Sequence, residues 1–97
     1  KRIKNRKNKI MTTENNKLID KFLNRNISAN QYHNNWNELM YLVEKIESIK
    51  GTQIFINGIS CEIMFKGRVI SKHFNTKIEA VYNACLEFIK WYNENKI

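Results

Sequence analysis

Metal or thiol chemistry in this chain would fall to His33, Cys61, His73 and Cys85, and their spacing favours neither. A zinc site needs clustered ligands, as in C-x₂-C pairs or H-E-x-x-H on one helix face, whereas these four residues stand singly. Cys61 and Cys85 each fall at an inward position of their own element and read as small core hydrophobes. His73 falls on a mixed strand face near Ser60, and His33 sits just before a helix start. Acid–base work by paired carboxylates needs an environment that drives two pKa values apart. Glu44/Glu47 and Asp20/Glu38 have no apolar pocket to do that. No nucleophile elbow, phosphate-binding loop or dinucleotide fingerprint is present, and glycine occurs only at 51, 58 and 67, each at a turn or helix end. The expectation is a chain with no catalytic residues, no metal and no cofactor.

Charge offers a second kind of chemistry. The formal net charge is +8, and residues 1–10 (KRIKNRKNKI) hold six of the basic side chains and no acid. The other 87 residues carry eleven basic and nine acidic groups, a net of +2. A near-neutral domain therefore carries a basic arm over residues 1–12. Lys1, Arg2, Lys4, Arg6, Lys7 and Lys9 would bind phosphates through counterion release, with steep salt dependence and little sequence preference. Arg68, Lys72 and Lys77 would extend that surface. Because no Met precedes Met11 and the chain from there reads like a complete small protein, the arm has three competing origins. They are a nucleic-acid-binding segment, an upstream extension or expression remnant, and a processed precursor.

These groups must be positioned by elements that the apolar pattern defines. Residues 75–95 (NTKIEAVYNACLEFIKWYNEN) place Ile78, Val81, Tyr82, Cys85, Phe88, Ile89 and Tyr92 on one helical stripe, with Thr76 and Glu79 as a capping box. Asn35 with Glu38 opens another helix whose stripe is Trp36, Leu39, Met40, Val43 and Ile46. It ends near residues 48–51, before Gly51. Three strands follow, with hairpin signals at Asn57-Gly58 and Lys66-Gly67. The period of two puts Ile54, Ile56, Ile59, Cys61, Ile63, Phe65 and Ile70 on the face under the helices, with Arg68 and Lys72 flanking it on the far strand. Gln53, Phe55, Ser60, Glu62, Met64, Val69, Ser71 and His73 share the other face. Residues 13–24 form a short accessory helix with Leu18, Ile19, Phe22 and Leu23 on one side, too short to be stable undocked. Residues 24–34 are polar and read as a linker.

The predicted fold is α+β: a three-stranded antiparallel meander packed against two long helices, in the order α-β-β-β-α over residues 35–97. The short helix and linker (13–34) precede it. At 97 residues there is room for one modest core, and 42% hydrophobic content excludes a disordered composition. No apolar run approaches the roughly 18 residues of a membrane span. No apolar segment with a small-residue cleavage site follows the basic start, so no signal peptide is expected. Two cysteines are weak support for an oxidising compartment, and a cytoplasmic location is expected.

From Tyr32 onward, three stretches carry a resemblance: YHNNWNELMYLVEKIESI, the NG hairpin followed by CEI, and TKIEAVYNACLEFIKWYNEN. They resemble the "ABA sandwich" domain proteins of bacteriophages and prophages, chiefly through Thr76, Lys77, Glu79, Ala80, Tyr82, Asn83, Phe88, Ile89, Trp91 and Tyr92. The resemblance implies a small phage-associated protein with an αβα arrangement, cytoplasmic in an infected or lysogenic host or associated with the virion. It brings no catalytic residues and does not reach residues 1–31. The α-β-β-β-α order is also that of double-stranded-RNA-binding domains. Those domains open their last helix with a lysine cluster, where this chain has Lys77 followed by Glu79, and their first strand loop differs from Asn57-Gly58.

Two functional expectations follow. The leading one is a non-enzymatic protein acting by protein–protein contact, through self-association or capture of a host or virion protein, anti-defence activity being one form. Its expected contact residues are Phe55, Met64 and Val69 on the second sheet face, together with Trp91. That same face is also open to the accessory helix. The alternative is a nucleic-acid-associated protein using the basic arm with Arg68, Lys72 and Lys77.

Overall fold

The computed structural model describes residues 13–25 and 32–95. A short helix α1 covers residues 13–22. It is followed by α2 (Trp36–Glu47), β1 (Thr52–Asn57), β2 (Ser60–Phe65), β3 (Arg68–His73) and α3 (Lys77–Asn95). The strands form one antiparallel sheet in the order β1-β2-β3, with both longer helices on the same side. The α+β meander with an accessory N-terminal helix is thus the observed architecture. The described helices leave the other side of the sheet bare, so they do not form the third layer of an αβα arrangement.

Local signals set the element ends. Thr76 Oγ1 accepts from the Glu79 backbone N–H at 3.2 Å and starts α3. The Glu79 carboxylate accepts the Thr76 hydroxyl proton at 3.0 Å instead of reaching the backbone of residue 76. Asn35 caps α2 by accepting from Glu38 N–H at 3.3 Å. The Glu38 carboxylate is engaged elsewhere, in an ion pair with Arg25 at 3.1 Å.

The sheet differs from expectation at one turn. Pairing runs from Thr52↔Phe65 to Asn57↔Ser60, so the first loop is Gly58-Ile59 and not Asn57-Gly58. Gly58 has φ +60° and Ile59 has no positive φ, the arrangement of a II′ turn with glycine first. The second loop, Lys66-Gly67, has φ +49° and +83°, as a I′ turn requires. Moving the first loop by one residue takes Ile59 off the inner face and into solvent. The alternation of the remaining residues is as expected: Cys61, Ile63 and Phe65 are buried while Glu62 and Met64 are exposed.

α2 buries Leu39, Leu42, Val43 and Ile46. Trp36, expected in the core, is 39% exposed. At 100° per residue the buried arc centres on Leu39 and Ile46 and reaches Leu42 on one flank, which leaves Trp36 and Met40 at its opposite margin.

The second correction concerns the stretch read as a linker. Tyr32 has no exposure at all, and its hydroxyl donates to Asp20 Oδ1 of α1 at 2.6 Å. Arg25 reaches Glu38 and lies 4.8 Å over the Tyr41 ring. Asn16 of α1 accepts from the Tyr82 hydroxyl of α3 at 2.8 Å, and its amide nitrogen lies 3.1 Å from His33 Nδ1. Ile19 is fully buried, and Phe22 packs edge-on to Tyr92 at 6.0 Å. α1 therefore docks on α3 through mixed polar and apolar contacts and does not occupy the second face of the sheet.

The Tyr82–Asn16 bond spans 66 residues and is buried. Tyr82→Phe keeps the ring and removes this one buried hydrogen bond. It should lower the unfolding free energy by about 1–2 kcal/mol, read as a lower urea midpoint at unchanged slope.

Candidate functional site

The bare face of the sheet is built by the alternation that buries its opposite side. Cross-strand pairing arranges it in three rows: Gln53–Met64–Val69, Phe55–Glu62–Ser71 and Asn57–Ser60–His73. Phe55 is 49% exposed, Met64 40% and Val69 57%. Met64 and Val69 are direct partners, and Phe55 is the diagonal neighbour of Met64, roughly 7–8 Å away by ordinary sheet geometry. The three apolar side chains form one patch, bordered by Glu62 and by the cross-strand bond between Ser60 Oγ and His73 Nδ1 at 2.9 Å.

Trp91, the fourth expected contact residue, is not part of this patch. It lies on the helix side, half-buried, with its ring 5.2 Å from Phe65 and 6.3 Å from Phe88. The Arg68 guanidinium covers it at 5.2 Å. Open clefts among the described residues flank it. One, of about 250 Å³, lies between Trp91, Glu87 and β3. Another, of about 820 Å³, is walled by Phe65, Trp91 and Tyr92 with Lys50 and Lys66 at its margin.

The cations proposed for nucleic acid divide in the same way. Lys1, Arg2, Lys4, Arg6, Lys7 and Lys9 lie outside the described residues. Arg68 is held on Trp91, and Lys72 pairs with Glu87 of α3 at 2.6 Å. Lys77 is exposed at the start of α3. Two of the three described cations thus point to the helix side with partners already in place.

Among the described residues, no group of three or more His, Cys, Asp or Glu side chains is placed to hold a metal ion. Cys61 and Cys85 are both buried free thiols, as their inward positions imply. Burial pushes the Cys61 thiol up to about 11, with Glu62 adding to the effect. Burial, then the nearby Cys61 and Glu47, hold Cys85 well above its ordinary value. A thiol kept protonated is a poor nucleophile and a poor ligand. Burial also raises the Tyr82 phenol to about 12. Ser60–His73 is the described pair closest in type to a nucleophile and base, but it lies in the open, and no described carboxylate bonds its imidazole. His33 serves α1 docking, through Asn16 and an edge contact with Tyr82 at 6.1 Å.

Sequence reading missed two exposed aromatics on α2, Trp36 and Tyr41. Tyr41 falls off the apolar stripe, which was the available signal; Trp36 falls at its margin. No family model, curated protein or solved structure matches this chain.

The buried acids predict alkaline sensitivity. A thiol or phenol whose pKa rises on folding holds its proton more tightly in the native state. Its stabilisation is complete below the unfolded pKa and disappears as pH climbs to the folded value. The urea midpoint should therefore be level up to about pH 9, then fall between 9 and 11 as Cys61 titrates, and on toward 12 with Tyr82. A Cys61→Ala/Cys85→Ala variant should begin its decline about one pH unit later, where Tyr82 takes over.

Proposed function

We propose that this chain is a non-enzymatic, phage-associated accessory protein that works by protein–protein contact through the bare face of its sheet. One observation carries the reading. Phe55, Met64 and Val69 are exposed side by side on a face that no described element covers. Among the described elements, the accessory helix α1 is engaged on α3 and not on that face. Contiguous exposed apolar side chains with a polar border are the usual composition of a contact surface. The phage association rests on the resemblance of residues 32–97, and under this reading the protein works in the cytoplasm of an infected or lysogenic host or in the virion.

The rival reading, nucleic-acid association, is supported by the six basic residues of the arm and by the α-β-β-β-α order with both longer helices on one side. It is weakened by the internal partners of Arg68 and Lys72. Capture from phage-infected cells with wild-type protein and with Met64→Glu/Val69→Glu separates the two. Both side chains are solvent-exposed, so the variant should fold, and it should lose the captured protein by 10-fold or more. Equal capture by both proteins would remove the bare face from consideration. A duplex-binding titration completes the test. Affinity that falls steeply between about 50 and 200 mM salt, and vanishes on deletion of residues 1–10, would favour the rival.

A further inference from the structure

The outer edge of β1 has a property the bare face does not supply. Residues 53–57 read Gln-Ile-Phe-Ile-Asn, a chemical palindrome of amide, Ile, Phe, Ile, amide centred on Phe55. β1 is an edge strand of six residues with no charge, no proline and no positive φ within it. Proteins ordinarily guard such edges with charges, proline or bulges. The opposite edge, β3, carries Arg68, Lys72 and His73.

Backbone geometry says which groups β1 offers. Asn57 and Ser60 flank a two-residue loop and so form a hydrogen-bonded pair, which makes Phe55 and Gln53 the next residues bonded to β2. Ile56, Ile54 and Thr52 then turn their N–H and C=O groups outward. The Thr52 N–H already donates to Ile49 O at 3.1 Å, leaving Ile54 and Ile56 with edge groups that no described residue bonds. Cover from α2 also fades along the strand: Thr52 is buried, whereas Ile54 and Ile56 are partly exposed.

We infer that β1 is a homodimerisation edge, pairing antiparallel with β1 of a second copy about a two-fold axis at Phe55 to give a continuous six-stranded sheet. In that register Ile54 bonds Ile56 of the second copy and the reverse, which uses all four of these N–H and C=O pairs. Phe55 faces its own counterpart in a non-hydrogen-bonded position, and Gln53 faces Asn57. The neighbouring register centred on Ile54 is inferior, because it would require the Thr52 N–H that Ile49 already holds. The partner is a second copy because only a strand with the same palindrome matches every row: apolar on apolar and amide on amide. No like charges meet. The inference stands independently of what the bare face binds, since pairing at the edge leaves Met64 and Val69 exposed and joins two such faces.

Disulfide trapping tests the register. In a non-hydrogen-bonded antiparallel pair the Cα atoms are about 4.5 Å apart, within disulfide reach. Phe55→Cys treated with diamide should give a covalent dimer, while Val69→Cys, equally exposed but on β3, should give at least 10-fold less. Cys61 and Cys85 are buried and do not compete. Sedimentation of the wild-type chain between roughly 1 µM and 1 mM should show the mass rising toward twice the monomer value. Ile56→Pro removes an outward N–H without touching the β2 ladder, and should stay monomeric with an unchanged circular-dichroism spectrum. A wild-type chain that stays monomeric throughout, or Phe55→Cys that cross-links no better than Val69→Cys, would overturn the inference. Met64→Glu/Val69→Glu should still dimerise, so loss of its captured partner would report on the bare face alone.

Discussion

Everything in this small domain depends on drying α3. Its buried residues Ala80, Val81, Tyr82, Ala84, Cys85, Leu86, Phe88 and Ile89 occupy about two-thirds of the helix circumference at 100° per residue. A single sheet covers at most one side of a helix. The remaining arc needs α2 and α1, and that need brings the front of the chain to its end. Phe88 is the pivot, with Phe65 of β2 edge-on at 5.6 Å and Tyr92 stacked at 5.7 Å. Tyr92 in turn meets Phe22 of α1. The aromatic chain from β2 through α3 to α1 links the sheet to the N-terminal helix.

Polar groups decide how α1 sits, though not why it is buried. Burial of Ile19 supplies an apolar driving force without direction, whereas the Tyr82–Asn16 bond fixes the position of α1 along α3 and the Tyr32–Asp20 bond ties it to the segment before α2. Each net hydrogen bond contributes only about 0.5–1.5 kcal/mol, but leaving its partner buried and unpaired costs more. A sliding α1 would break both of these bonds at once. The Arg25–Glu38 pair is partly exposed and weighs less in stability. It still ties the segment just after α1 to the first turn of α2.

The same demand explains what is left outside. All three described helices serve α3 or the inner sheet face, so none remains for the outer face or for the β1 edge. Arg68 and Lys72, which the alternation places at the inner margin of β3, meet α3 and are occupied there by Trp91 and Glu87. Surface available for contact is consequently apolar and nearly neutral, while most of the net charge belongs to the arm.

How much of this was legible in the chain depends on the range of the forces involved. Caps at Asn35 and Thr76, the Lys66-Gly67 turn and the wet-dry alternation of β2 are local matters, set by hydrogen bonds within four residues or by a period of two, and the sequence determined them by itself. With them came the fold class, the inward cysteines and the joint exposure of Phe55, Met64 and Val69. Tertiary structure decided the rest. Whether Trp36 or Leu42 enters the core depends on where the neighbouring elements centre the buried arc, which no single-helix pattern contains. Tyr32 looks like loop punctuation until Asp20 and the underside of α1 arrive to bury it. Trp91 sits at the edge of its stripe, and only the position of Phe65 and Arg68 assigns it to the helix side, because a side chain's face is defined relative to a partner the local sequence does not name.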